Sequence, residues 1–99
     1  QALKMATLNG ANALGLGAVT GSLLPGKSAD MTAINLDHLQ TQPVYDPVSQ
    51  IVYAAGREQV TDVWVAGKQL LQAGQLTTIE QEQAMAAAKQ WQEKIVEIP

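Results

Sequence analysis

Residues 60–71 read VTDVWVAGKQLL. From Val60 to Val65 the run is rich in β-prone Val, Thr and Trp, and successive side chains of a strand point to opposite faces, so Val60, Asp62 and Trp64 share one face and Thr61, Val63 and Val65 the other. Ala66-Gly67 then turns the chain, and Lys68 to Leu71 returns as a second strand, so a hairpin stands at the centre of the fold. Downstream, Ala73-Gly74 breaks that strand. Thr77 and Thr78, followed three residues later by Glu80 and Gln81, each offer a capping box for a last helix. Along it Ala84, Ala88, Trp91, Ile95 and Ile98 step by four and three, which traces one face.

Upstream of the hairpin, Asp46-Pro47 supplies a side-chain acceptor and then proline at the first helical position, where its missing N–H costs nothing. Val48, Ile51, Val52 and Ala55 follow at i, i+3, i+4 and i+7. They are expected to face the sheet that contains Trp64, with Gly56 closing the helix. Residues 37–45 read as a loop. Ahead of the loop, from Ala29 to Leu36, Met31 and Ala33 point one way while Thr32, Ile34 and Leu36 point the other. A strand apolar on both faces is expected inside a sheet. Pro25-Gly26 suits a type II turn before it. At the start of the chain Leu3, Ala6, Gly10, Ala13 and Leu14 trace a helical face, although Gly10 lowers propensity by about 1 kcal/mol relative to Ala. Gly15 and Gly17 are expected to end that helix, with Leu16 folding back on its last turn. Helix, strands, helix, hairpin, helix is an α+β order.

Composition narrows the function classes. The 99 residues include no cysteine and one histidine, which excludes a disulfide framework, a thiolate zinc site, a thiol nucleophile and a multi-histidine metal site within them. Six basic residues against nine acidic, with no basic cluster, lack the electrostatic footprint of a nucleic-acid binder. No apolar run approaches the roughly 20 residues of a membrane span, and no signal-peptide pattern opens the chain. A cytoplasmic location, away from membranes, is the expectation. Helical periodicity already under way by Leu3, with no capping residue before it, is expected of a piece of a longer protein.

Individual candidates for chemistry weaken on inspection. His38 beside Asp37 has no partners at metal-ligand or catalytic spacing and reads as a solvated loop histidine. Asp30 enters a strand just after a tight turn, where a carboxylate more often binds turn amides than acts as a general base. Gly15, Gly17 and Gly21 follow a helix instead of joining a strand to a helix, so they make no dinucleotide fingerprint. Lys27 lacks the glycine-rich run of a phosphate loop. Trp64 and Tyr53 read as core or interface aromatics, not base-stacking platforms. No catalytic, cofactor-binding or metal residue is assigned.

Three stretches carry a family resemblance: ALKMATLNGANALGL (2–16), GSLLPGKSADMTAINL (21–36) and PVYDPVSQIVYAAGREQVTDVWVAGKQLL (43–71). Together they resemble the C-terminal end of the amidohydrolase superfamily. The first two are widespread in it, whereas the third is similar to the 5-methylthioadenosine/S-adenosylhomocysteine deaminases, guanine deaminases and triazine chlorohydrolases. The resemblance implies the C-terminal part of a composite β-sandwich with flanking helices, detached from a (β/α)₈ barrel. Residues 1–17 would be the last barrel helix, 18–78 the C-terminal half of the small sandwich with an inserted short helix, and 79–99 a C-terminal helix. The family's metal ligands, a His-x-His pair, two more histidines and an aspartate, fall upstream of the first matching motif, and none carries over to this chain. The parent reaction implied is hydrolytic deamination of a small nucleoside or nucleobase by hydroxide on one divalent metal, zinc or iron, in a homo-oligomer. The 99 residues alone would then be inactive. The alternative class is a noncatalytic β-rich interaction or assembly module.

Overall fold

The computed structural model describes residues 1–98. Its first helical run comprises α1 (Ala2–Lys4), a π turn over Met5–Asn9 and α2 (Gly10–Ala13). The π turn coincides with two weak points. Thr7 Oγ1 donates to the Leu3 carbonyl at 2.8 Å, a back-bond that loosens a helix, and Asn9-Gly10 follows. Gly15, at φ +74°, closes the run: its N–H reaches Asn12 O at 3.0 Å and the Leu16 N–H reaches Ala11 O at 2.8 Å. That pair of bonds is a Schellman closure, which needs a residue at positive φ and so favours glycine. Gly17, expected to share the task, lies beyond it.

The Leu24 carbonyl accepts from Lys27 N at 3.1 Å across Pro25-Gly26, with Gly26 at φ +91°, as a type II turn requires. β1 (Met31–Ile34) follows, then α3 (Pro47–Tyr53), a 3₁₀ turn (Arg57–Gln59), β2 (Val60–Val65), β3 (Lys68–Gln72), β4 (Gln75–Leu76) and α4 (Gln81–Val96). The four strands form one antiparallel sheet in the order β1-β2-β3-β4. Met31 pairs with Trp64 and Val65 with Lys68. Both hairpin connections have two positive-φ residues, Ala66-Gly67 at +51° and +78° and Ala73-Gly74 at +48° and +79°, as the mirror-image turns of tight hairpins demand.

Four expectations are corrected. β1 lies at the edge of the sheet, not inside it, because alternation reports which faces are apolar and is silent about how many neighbours a strand has. Ala73-Gly74 does not end the sheet; it turns the chain into β4, with Leu71 opposite Leu76. Gly56 does not close α3, which ends at Tyr53 with Ala54 as its C-cap. Gly56 is extended at φ −96° and opens the 3₁₀ turn, its N–H held by Gln59 Oε1 at 2.9 Å. Neither threonine caps α4. Its N-cap is Glu80, without a side-chain bond, and the Thr77 hydroxyl donates instead to the Gln69 carbonyl on β3.

Asp46 does cap α3, accepting from Val48 N at 3.1 Å and from Ser49 Oγ at 3.0 Å. Ile51, Val52 and Ala55 are half-buried while Val48 is exposed, and the principal neighbour of α3 is α1, not the sheet around Trp64. Among the described residues Ala11 is the only buried apolar one; the other buried residues are Thr41 and Gln59. The accessible surface is 7842 Å², whereas a compact monomer of this mass exposes about 5,400 Å². The radius of gyration is 17.9 Å, against about 13 Å for a compact domain of 100 residues. The elements are well formed, but no apolar core gathers them.

Candidate functional site

An open groove of about 780 Å³ lies between the first helical run and the segment that leads into β1. Leu3, Ala6, Leu14, Leu23 and Met31 give it an apolar lining. Gly21 allows the two walls to meet: a Cβ there would lie 2.8 Å from the Ala11 Cβ and 3.0 Å from the Leu8 Cα. Asp30 is the only ionisable residue on the lining.

Its carboxylate is fully engaged in holding turns. Oδ1 accepts from the Ala66 amide at 2.7 Å and from Ser28 Oγ at 2.9 Å, and Oδ2 accepts from Thr20 Oγ1 at 2.9 Å. The Ala66 amide first, then Ser28 and Thr20, hold this carboxyl below its ordinary value of 3.8, with desolvation opposing weakly. A carboxylate so stabilised in its charged form is a poor general base. The adjacent Ala29 carbonyl accepts from Gly67 N at 3.0 Å, so two neighbouring residues capture both amides of the first hairpin turn. The second turn repeats the device: Asp62 Oδ1 accepts from Ala73 N at 2.8 Å and the Thr61 carbonyl from Gly74 N at 2.9 Å.

The remaining candidates are also structural in their contacts. Lys27 Nζ donates to the Gly17 carbonyl at 2.6 Å and to Ser22 Oγ at 2.7 Å, stapling the segment beside the groove. His38 is half-buried, and its carbonyl accepts from Thr41 N and Gln42 N at 3.1 and 3.0 Å. Trp64 is half-buried in β2, whereas Tyr53 is exposed at the end of α3 and so belongs to no core. The structure does not bring His38, Asp30 and Lys27 together. Among the described residues no three His, Asp or Glu side chains converge as metal ligands would, so the residues present do not fit a metal centre.

Sequence reasoning missed the most ordered polar cluster. Gln59 is wholly buried; its Nε2 donates to Asn35 O at 3.1 Å and Thr41 Oγ1 at 3.0 Å, and its Oε1 accepts from Gly56 N at 2.9 Å and Gln40 Nε2 at 3.1 Å. The Thr41 hydroxyl in turn donates a hydrogen bond to the Leu36 carbonyl at 2.6 Å. These bonds tie the end of β1, the loop after it and the 3₁₀ turn into one unit. In the sequence, Gln59 within GREQV is indistinguishable from a surface glutamine.

Residues 1–70 match the amidohydrolase family, and the chain belongs to that family. It is 50% identical over 94 residues to the 5-methylthioadenosine/S-adenosylhomocysteine deaminase of Teredinibacter turnerae, a match covering 95% of this chain and 21% of the relative. The deaminase of the same name from Aquifex aeolicus is 41% identical, covering 96% and 22%. Among solved structures, an adenosine deaminase from Xanthomonas campestris with bound zinc superposes with a TM-score of 0.88 at 46% identity, over 97% of this chain and 22% of that one. Atrazine chlorohydrolase from Arthrobacter aurescens, complexed with zinc, superposes with a TM-score of 0.78 at 26% identity, over 88% and 19%. The chain thus spans about a fifth of the length of these relatives. No helix of the described residues is long and apolar enough to cross a membrane.

Proposed function

We propose that this chain is the C-terminal scaffold of a metal-dependent aminohydrolase that deaminates a small nucleoside, 5-methylthioadenosine being the substrate class its relatives' names favour. The observation that carries this is a mismatch of compactness and likeness. An arrangement with one buried apolar residue superposes at a TM-score of 0.88 on a chain more than four times as long. A free chain gains by collapsing its apolar surface. Elements that hold such an open arrangement fit a piece shaped to pack on something larger. In this assignment residues 1–17 end a (β/α)₈ barrel, 18–78 supply the C-terminal half of a composite β-sandwich, and 79–99 form a terminal helix.

The divalent metal, zinc in both solved relatives described above, would be held entirely by residues outside 1–98. The chain's own contribution is mechanical. Asp30 and Asp62 fix the hairpin turns, Gln59 fixes the loop after β1, and the groove and the free edge of β1 present the surfaces on which the catalytic part is built. A homo-oligomer in the cytoplasm is the setting proposed for the whole enzyme.

A graft tests the assignment. Residues 1–98 replace the matching segment of the Teredinibacter turnerae relative, and release of ammonia from 5-methylthioadenosine is measured. The graft is expected to retain activity, and the relative with that segment deleted to lose it. A folded but inactive graft, or deamination by residues 1–98 alone, would contradict the scaffold role.

A further inference from the structure

The last helix is unpaired in a way that the groove and the sheet edge are not. Every described residue from Gln72 to Ile98 is exposed, and α4 makes no substantial packing contact with another element. Yet α4 is two-faced. Ala84, Ala88, Trp91 and Ile95 form one stripe, while Glu82, Lys89 and Glu93 lie on the other side of the helix; Ile98, expected to continue the stripe, falls beyond the end of α4 at Val96. Trp91 is 64% and Ile95 63% exposed. Lys94 Nζ lies over the Trp91 ring, 5.0 Å from its centre. An isolated helix of 16 residues is marginal in water, and most helical stability in proteins comes from packing an apolar face.

We infer that the Ala84–Trp91–Ile95 stripe docks on the part of the same longer polypeptide that lies outside residues 1–98. This rests on the scaffold assignment and extends it to a segment beyond the family match, which ends at residue 70. Two observations select this occupant over a second copy. The superposition on the adenosine deaminase covers 97% of the chain, so it includes most of α4 in its splayed position, and 78% of that longer chain is left to meet the helix. The stripe also has no charged side chain at its centre, which fits a permanent, water-excluding contact. A tether of a few residues from β4 to α4 keeps the helix at high effective concentration over its own polypeptide.

The test uses the graft described above, with Trp91→Ala, Ile95→Ala and, on the polar face, Glu93→Ala, read by thermal melting and sedimentation mass. The sign is decisive, because alanine is the better helix former. On a helix in water both apolar replacements would leave Tm unchanged or raise it. On a docked helix each lowers Tm, by about 3–6 °C, while Glu93→Ala stays within about 1 °C. Unchanged or raised Tm in both apolar variants overturns the docking. So does a fall in sedimentation mass with Tm otherwise kept, which would assign the stripe to a second copy. A graft that deaminates while both variants melt like the parent overturns the docking alone. An unmodified graft that folds without activity counts against the scaffold assignment instead.

Discussion

Gln59 carries its weight through satisfied polarity in place of apolar area. Its side-chain bonds reach three places in the chain, Asn35 after β1, the Gln40-Thr41 loop and Gly56 before the 3₁₀ turn, and removing the amide strands partners that water cannot easily reach. In the graft, Gln59→Leu is expected to destabilise by about 3 kcal/mol, since leaving buried donors and acceptors unmade costs about 1–3 kcal/mol each. Gln40→Ala, at the exposed rim, is expected to cost less than about 1 kcal/mol. Urea denaturation of the two variants separates these outcomes, and equal effects would mean that the cluster is not a unit. Asp30 gives a pH signature. Its carboxyl is held below 3.8, so its bonds contribute fully above the unfolded value and are lost as pH falls through the folded one. The stability advantage of the natural residue over Asp30→Asn should therefore shrink below about pH 4. Denaturation midpoints at pH 3 and pH 6 measure it; an advantage that stays constant would show that the charge has no part in the latch.

Among the elements, the β2–β3 hairpin is specified locally and was the most legible. The β-prone run VTDVWV, the two-residue turn at Ala66-Gly67, the Asp46-Pro47 cap and the Gly15 closure all depend on residues within a few positions of each other. The edge position of β1 and the Gln59 cluster depend on segments far apart in sequence, and no local pattern encodes them. The pairing of β4 is local, across Ala73-Gly74, but two residues of strand are too short to show a pattern. Thr77 shows the competition: its hydroxyl suits a helix cap, but the strand β3 reaches it first. Of the candidate site, the turn-binding role of Asp30 was legible because its tight turn lies beside it in the sequence, while groove walls come from separate segments and were not. The turns also hold a correctable strain. Ala66 sits at φ +51°, a region costly for residues with a Cβ. Ala66→Asn is expected to stabilise the graft by about 0.5–1 kcal/mol and Ala66→Val to destabilise it by at least as much. Thermal melting checks the order Asn above Ala above Val, and any other order would contradict the turn assignment.

At the scale of the whole molecule, surface outweighs interior. The 7842 Å² of accessible area exceeds the roughly 5,400 Å² of a compact monomer, and the excess is larger than the roughly 800 Å² that each partner contributes to a standard protein interface. Leu23, Leu24, Trp91 and Ile95 are among the large apolar side chains left in solvent, and β1 keeps an open edge. Such a chain, separated from the remainder of its polypeptide, is expected to associate with itself or to fold only marginally. Sedimentation equilibrium of residues 1–99 at micromolar concentration, combined with urea unfolding of the same sample, tests this most directly. The account predicts either a mass above that of the monomer or a broad, non-cooperative unfolding curve; a monomer with a sharp, cooperative transition would contradict it.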